Sequence, residues 1–250
     1  MQELEQAVQA IHVRFGSHAL ARAHALPSVE PWPSGCSAID RLAGIGGLPK
    51  GRISVLQGQG TCGKTSLALA LLARAGTDFA QCVVLDPGHG FDPWVLVAHG
   101  GDASAPAVVR LADPVATGEA AIAVAKAGAG FLLLLLPMRV LNQVDGWLSS
   151  LCAAAERSGT VVLAVAETSP PPLAHAASFA CGFERRAWIH EHRQLVGLRT
   201  RIRCLKNKVA APGAVVEVEV RYPQGATLFP ERPLSEAIPE VTQWAESAAV

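Results

Sequence analysis

Apolar residues are spaced along the chain with the periods of strands and helices, and the two periods alternate. Short, nearly continuous apolar runs predict buried strands at residues 53–56, 82–86, 107–111, 131–136 and 160–166. Segments with helical spacing lie between them, at 66–74, 117–127 and 140–158. Continuous apolar runs are typical of parallel strands that are covered on both faces. The pattern therefore predicts an α/β fold, a mostly parallel sheet flanked by helices.

Polar and apolar residues alternate strictly towards the end of the sequence. Residues 199–205 and 215–221 show this alternation, and a turn-forming stretch separates them at 207–213. This alternation is typical of antiparallel strands that have one face in the core and one face in solvent. We therefore expect an antiparallel pair at the C-terminal edge of the sheet.

The first residues predict a helix with one apolar face. Four residues recur at helical spacing, namely Leu4, Val8, Ile11 and Phe15. We expect a helical arm over 1–22, a linker over 23–33, a core over 34–230 and a short tail over 231–250. A helix packed on its own core is an equally good interpretation of the first segment.

Composition excludes several classes of protein. Of 250 residues, 50% are hydrophobic and 17% are charged, which excludes a disordered chain and allows one substantial core. The net charge of zero predicts no overall affinity for nucleic acids or membranes. The start lacks an apolar signal segment, and the run at 131–136 is too short to cross a bilayer. A cytoplasmic protein without membrane contact is expected.

Six cysteines are spread widely, and none forms a C-x-x-C pair. Neither a zinc site nor a redox pair is expected from this spacing, and scattered thiols suit a reducing cytosol. One of them, Cys62, lies inside the most informative motif of the chain.

That motif runs from Gly58 to Thr65 and fits the phosphate-binding loop G-x-x-x-x-G-K-[ST] at every fixed position. A predicted strand precedes it and a predicted helix follows, which is the required context. Backbone amides and the helix N-terminus would surround phosphate oxygens, Lys64 would reach the outer phosphates, and Thr65 would hold Mg²⁺. The predicted contacts are Gly58, Gly60, Thr61, Cys62, Gly63, Lys64, Thr65 and Ser66.

Further segments, in order around this loop, resemble the RecA/Rad51 recombinase family and its bacterial RecA branch. They are SGCSAID at 34–40, GGLPKGRI at 46–53, DPGHGFDP at 86–93, TGE at 117–119 and KNKVAAP at 206–212. The resemblance extends from about Val8 to Phe229. It implies a RecA-like core with ATP and Mg²⁺ as cofactors.

The resemblance also implies roles for individual residues. Asp92 matches the residue that contacts adenine, although Val95 replaces the stacking tyrosine. Lys206 and Lys208 match lysines that cross a subunit interface towards a neighbour's ATP. The N-terminal helix resembles the arm that docks onto a neighbour in a filament, which implies docking onto RecA or onto copies of the same chain.

Departures from the family pattern fall on its acidic residues. Gly88 stands at the position of the catalytic glutamate, and Pro137 stands at the position of an aspartate that steadies Mg²⁺. Glu167 stands at the switch glutamine. Asp86 is retained, so Asp86 and Glu167 are possible substitutes for the missing acids. The segments matching the two DNA-binding loops are also short. We expect weak or absent ATP hydrolysis, because loss of such an acid typically lowers rates ~10²–10⁴-fold.

Basic residues are concentrated between 181 and 210, where only two glutamates, Glu184 and Glu191, oppose them. The candidates for contact with DNA or a partner are Arg185, Arg186, Arg193, Arg199, Arg201 and Arg203. Such a stretch can bind a phosphate backbone, form a solvated face or make a protein interface. The sequence leaves these three possibilities open.

Among RecA paralogues with these losses, the chain most resembles the ImuA family. That resemblance implies an SOS mutagenesis accessory in translesion synthesis, located at the nucleoid. Its implied partners are RecA and an ImuB-like Y-family polymerase subunit, with single- or double-stranded DNA as a further candidate. An alternative is a compact DNA-dependent ATPase of homologous recombination that uses Asp86 or Glu167. A SulA-like inhibitor of cell division is disfavoured by the complete phosphate loop.

Overall fold

A computed structural model describes residues 2–15, 29–222 and 231–232. The chain forms two compact units, residues 1–30 and residues 31–250. In the first unit, helix α1 spans Gln2–Phe15, as the apolar period predicts. The division into arm, linker, core and tail stays a prediction, since residues 16–28, 223–230 and 233–250 lie outside the described residues.

The second unit alternates strands and helices for most of its length. Its helices are α2 (Ser37–Ala43), α3 (Lys64–Asp78), α4 (Pro93–Ala98), α5 (Pro114–Lys126), α6 (Met138–Leu141), α7 (Asp145–Ser158) and α8 (Pro171–Ala176). Its strands are β1 (Pro31–Trp32), β2 (Leu48–Pro49), β3 (Ile53–Gln57), β4 (Cys82–Leu85), β5 (Pro106–Val109), β6 (Phe131–Leu135), β7 (Val161–Ala166), β8 (Phe179–Glu191), β9 (Gln194–Asn207), β10 (Val215–Arg221) and β11 (Glu231–Arg232). None of the described helices is long and apolar enough to cross a membrane.

Within the described residues, the main sheet has the strand order β11-β10-β9-β8-β3-β7-β6-β4-β5. The six strands from β8 to β5 are parallel to one another. Strands β8 to β11 pair antiparallel. A separate small sheet joins β1 to β2. This arrangement confirms the predicted α/β fold with antiparallel strands at one edge.

The central strands are buried on both faces, which explains their continuous apolar runs. Every residue of β6 and β7 is buried. Alternate residues face opposite ways, so Leu133 packs in the layer that contains α3, whereas Leu132 and Leu134 pack in the layer that contains α5 and α7. Two apolar layers therefore fix the sheet, and all its parallel strands end at one edge.

The single helix predicted over 140–158 is wrong. The structure has two helices, α6 and α7, separated by a turn at residues 142–144. The amide of Gln143 bonds the carbonyl of Val140, three residues back, rather than following the α-helical ladder. Val140, Leu141 and Val144 are all buried in one apolar cluster, so the helical period continues in the sequence although the axis breaks.

Sequence patterning missed strand β8, which forms a long hairpin with β9. The connection is the two-residue turn His192–Arg193, and both residues have positive φ, 47° and 67°. Glycine or asparagine usually occupies such a turn. Because neither is present, the sequence carries no hairpin signal at this point.

Substitution of Gly118 tests the packing of α5 on α7. A Cβ at Gly118 would lie 2.3 Å from the indole Cγ of Trp147, whereas a Cβ at Gly146 in α7 would meet nothing within 4 Å. We expect Gly118→Ala to lower the free energy of unfolding by ~1–3 kcal/mol through overpacking. The control Gly146→Ala should leave it unchanged or raise it by up to ~1 kcal/mol. Urea denaturation measures both, and equal stability of the two variants would contradict this packing.

Candidate nucleotide site

The phosphate loop connects β3 to α3 at the edge where the parallel strands end. Gly60 and Gly63 have positive φ values of 52° and 90°, a conformation that favours glycine. Gly58 is required for a different reason. A Cβ there would lie 2.6 Å from the carbonyl oxygen of Phe183 and 2.8 Å from Sγ of Cys62. The glycines of the motif therefore set both the curl of the loop and its close approach to β8.

Lys64 begins α3 and is 8% exposed. Its Nζ donates a hydrogen bond of 2.9 Å to the carbonyl of Gly60, inside its own loop. The loop residues from Gly60 to Ser66 line a cavity of about 250 Å³. A phosphate group fits this cavity for three reasons: the backbone of the glycine-rich loop is curved, the ammonium group of Lys64 is buried there, and the N-terminus of the 15-residue helix α3 adjoins it.

Tyr222 lines the same cavity, and sequence reasoning missed it. It follows the last residue of β10, and its amide donates to the carbonyl of Val196 at 2.7 Å. Partial burial raises the pKa of its phenol. Tyr222 is more than 150 residues from the motif in the sequence, and the pairing of β9 with β10 brings it next to the loop.

A second cleft, of about 310 Å³, adjoins the first at Lys64 and Thr65. Gly88, where the family resemblance expects a catalytic glutamate, and Pro137, where it expects an aspartate that steadies Mg²⁺, both line it. They are neighbours, since a Cβ at Gly88 would lie 3.5 Å from Cβ of Pro137. Arg139 in α6 also donates a hydrogen bond to the carbonyl of Pro87. The structure thus brings both positions to the phosphate loop, and neither provides a proton acceptor.

Asp86 also lines this cleft, but its carboxylate is fully buried and occupied. One oxygen accepts from the amide of Gly90 at 2.7 Å, and the other accepts from Phe91 at 3.1 Å and from Nε of Arg110 at 3.2 Å. A carboxylate with three donors holds the turn that follows β4 in place. These contacts favour a structural role for Asp86.

Glu167 is the other carboxylate among the residues that line the cleft. It follows β7 directly and is exposed. Thr65 is half-buried and lines the same cleft. In phosphate-binding loops the hydroxyl at this motif position is the group that holds Mg²⁺. Among the described residues, no group of three or more His, Cys, Asp or Glu side chains is arranged to bind a metal ion.

The other residues that the family resemblance implies have local partners. Asp92 is the N-cap of α4, and its carboxylate accepts from the amide of Trp94 at 2.8 Å. Lys206 donates to the carbonyls of Ala174 and His175 at 2.5 and 2.9 Å, and Lys208 donates to His175 at 3.0 Å. Both lysines therefore cap the C-terminal end of α8 within their own chain.

An open groove of about 930 Å³ runs along the outer side of the phosphate loop. Three of the six candidate arginines line it, Arg185, Arg201 and Arg203, together with the acids Glu167 and Glu184. Arg186 forms an ion pair with Glu184. Arg193 lies apart from the groove, in the turn at the hairpin tip.

Pairing of β9 with β10 neutralises part of the basic stretch. Arg199 and Arg201 lie opposite Glu219 and Glu217, and their ion pairs measure 3.3 and 2.8 Å. Both glutamates are almost fully buried, with 3% and 4% of their surface exposed. The charge balance considered for residues 181–210 did not include these two glutamates, because they come later in the chain. Arg203 has no acidic partner among the described residues.

Four residues were predicted to dock α1 onto a partner, and two of them have described side chains. Val8 and Ile11 are half-buried, whereas the side chains of Leu4 and Phe15 lie outside the described residues. Val13, on another side of the helix, is 84% exposed. The docking role of this face stays a prediction.

The cysteines are reduced and mostly buried. The fold does, however, place Cys181 directly opposite Cys204 on adjacent antiparallel strands, which their distance in sequence hides. Burial raises the pKa of the Cys181 thiol, and the neighbouring Cys204 adds to the effect. High thiol pKa values disfavour the reactive thiolate.

Comparison with known proteins places these features in a family context. The sequence profile of the RecA N-terminal domain matches residues 2–128. Protein RecA of Chlorobaculum tepidum is 26% identical over an alignment that covers 92% of this chain and 78% of the relative. Protein RecA of Rhodospirillum rubrum is 28% identical, covering 91% and 72%. Protein RecA of Corynebacterium urealyticum is 27% identical, covering 89% and 70%.

Replacing each of the two carboxylates that line the cleft tests whether Asp86 stabilises the fold and Glu167 does not. We expect Asp86→Ala to lower the free energy of unfolding by ~2–3 kcal/mol, because it leaves two backbone amides and Arg110 without their acceptor. Glu167→Ala should change it by less than ~0.5 kcal/mol, since that side chain is exposed. Guanidinium denaturation of both variants checks this, and full stability of Asp86→Ala would refute the structural role.

Proposed function

The chain belongs to the RecA family, and from that membership we propose that it binds ATP without efficient hydrolysis and serves as an accessory protein in DNA-damage tolerance. Members of the family generally use ATP and Mg²⁺ and act in DNA repair and recombination. The proposal for this chain depends on one observation. Gly88 stands where a catalytic glutamate is expected and Pro137 where a Mg²⁺-steadying aspartate is expected, and the two are neighbours in the cleft that Lys64 and Thr65 also line.

Nucleotide binding is supported by the intact phosphate loop. Residues 60–66 form a cavity of about 250 Å³ with a buried lysine at its base. Lys64 would exchange its bond to the Gly60 carbonyl for the outer phosphate oxygens, and Thr65 would hold Mg²⁺. The metal ion would neutralise phosphate charge. Asp92 would contact the base from the start of α4.

Poor hydrolysis is supported by the chemistry of the second cleft. Attack on the terminal phosphate requires a group that orients and activates water, and such a group typically contributes ~10²–10⁴ in rate. Glycine and proline side chains offer no oxygen for this purpose. Asp86 accepts three hydrogen bonds, including one from Arg110, and its oxygens are buried. Bound ATP would then act as a structural or switching ligand.

The finer proposal is an ImuA-like accessory of SOS mutagenesis and translesion synthesis. Its partners would be RecA filaments through α1, and an ImuB-like Y-family polymerase subunit. Retained docking features beside lost catalytic acids support this combination. DNA contact would be limited to the arginines without buried glutamate partners, such as Arg203 and Arg193, because Arg199 and Arg201 are neutralised.

A DNA-dependent ATPase of recombination is the second candidate. Glu167 favours it, since its exposed carboxylate lines the cleft beside Thr65. In that case Glu167→Gln would abolish a turnover that DNA stimulates. The same assay therefore separates the two candidates.

Restoring the two acids tests the main proposal. We expect the wild-type chain to bind ATP with negligible turnover, and the double variant Gly88→Glu/Pro137→Asp to hydrolyse ATP at least ~10-fold faster. Both changes fit the backbone, because a Cβ at Gly88 would lie 3.5 Å from Pro137, an ordinary van der Waals distance, and Pro137 is the N-cap of α6, where aspartate is favoured. Phosphate release with and without single-stranded DNA measures turnover.

Lys64→Ala provides the control in both backgrounds and should remove ATP binding. Lys64-dependent turnover of the wild-type chain that the double substitution does not increase would contradict the proposal. Absence of ATP binding by the wild-type chain would contradict it at an earlier step.

Docking onto RecA is tested on the apolar face of α1. We expect Val8→Asp/Ile11→Asp to abolish co-sedimentation with RecA filaments, because charged groups cannot be buried unpaired in an interface. Removal of residues 1–15 should have the same effect. Gln9→Asp, on an exposed position of the same helix, is the matched control and should bind normally. Normal binding by the double variant and the truncated chain would exclude this surface.

A further inference from the structure

We propose that Arg185 is a positioning residue of the phosphate loop, which it holds from outside and connects to the β8–β9 hairpin. Nucleotide binding in the loop would then alter the surroundings of Trp188. The inference rests on the ATP binding proposed above, and it adds a residue and a structural link that the motif itself does not contain.

The link is a direct hydrogen bond across 124 residues of sequence. Nη1 of Arg185 donates to the carbonyl of Thr61 at 2.8 Å. Lys64 holds the preceding carbonyl, that of Gly60, at 2.9 Å. Amides of a phosphate loop face the phosphate, so these carbonyls are free to be held by cations from the protein. Two cations, one internal and one from β8, hold consecutive carbonyls.

A second contact fixes the guanidinium group. Cζ of Arg185 lies 4.2 Å from the ring centroid of Trp188, within the range of a cation–π interaction. Residues three apart on a regular strand would face opposite sides. Here a bulge between Arg185 and Ala187 shifts the register, so that Arg185 pairs with Thr200 and Trp188 pairs with Leu198. The bulge therefore places the arginine and the tryptophan on one face.

That face also supports the far side of the loop. A Cβ at Gly63 would lie 3.3 Å from Cδ1 of Leu198 and 3.8 Å from Cγ2 of Thr200. The hairpin thus adjoins the loop at two points. Leu198 and Thr200 lie next to Gly63, and Arg185 bonds Thr61. Beyond Gly182, β8 has no pairing with β3 in the described residues, because the last pair is Gln57 with Gly182. Arg185 consequently attaches the projecting part of β8 to the loop.

Two consequences follow for nucleotide binding. When Lys64 turns to the phosphates, the carbonyl of Gly60 keeps only the amide of Cys62, at 3.1 Å, and Arg185 keeps the next carbonyl in place. Without Arg185 the loop would have to be ordered by the nucleotide itself, which lowers affinity. Because Trp188 stacks on the same guanidinium, its fluorescence should report phosphate binding.

The test uses the full chain titrated with ATP and Mg²⁺, followed by calorimetry and by tryptophan fluorescence. Trp188→Phe identifies the part of the signal that belongs to Trp188. We expect Arg185→Ala to weaken ATP binding ~10–100-fold, as loss of a charged hydrogen bond predicts, and to remove the Trp188 response. Arg185→Lys should recover part of the affinity but not the stacking. Arg203→Ala, which removes an arginine from the same groove, is the matched control and should bind within about twofold of wild type.

Amide hydrogen exchange of residues 59–63 without nucleotide provides an independent measurement. We expect Arg185→Ala to accelerate exchange there at least ~5-fold, and Arg203→Ala to leave it unchanged. Unchanged exchange or unchanged ATP affinity in Arg185→Ala would overturn the positioning role. Absence of Lys64-dependent ATP binding by the wild-type chain would instead overturn the proposed function, while accelerated exchange would still establish the link between Arg185 and the loop.

Discussion

Close approach of the phosphate loop to the antiparallel strands is the constraint on which the rest of the site depends. Gly58 has no room for a side chain against the carbonyl of Phe183, and Gly63 has little against Val220. The glycines of the motif therefore serve two purposes, since they shape the phosphate cradle and let β8 and β10 close over it. Arg185 and Tyr222 reach the loop because of this closure.

The cleft beside the phosphate loop has Gly88 and Pro137 where the family resemblance expects acids. Pro137 is the N-cap residue of α6 and has an extended backbone, and Gly88 is its neighbour in the cleft. Asp86 remains because the turn after β4 depends on it, through two backbone amides and Arg110. An acid that is retained in a motif is thus not evidence of catalysis by itself, since its oxygens are already engaged in the fold. This is why the proposed function combines nucleotide binding with poor hydrolysis.

The ion pairs at the antiparallel edge show that the charge of a segment in the sequence differs from the charge it presents in the fold. Residues 181–210 are strongly basic as a segment, yet Glu217 and Glu219 are buried against Arg201 and Arg199. Burial is tolerated because each carboxylate has a close cationic partner. The positive charge that remains unpaired on this edge is therefore smaller than the sequence suggests.

The sequence by itself determined the fold class and the phosphate-loop motif, because apolar periods and short motifs are local properties. Local patterns failed where pairing is non-local or turn chemistry is unusual, as in β8 and its turn at His192–Arg193, and in the broken helix over 140–158. Only the tertiary structure decided which arginines are neutralised, that Asp86 is occupied, and that Tyr222 and Arg185 adjoin the loop. Those facts depend on strands brought together from distant parts of the chain, and no spacing in the sequence records their contact.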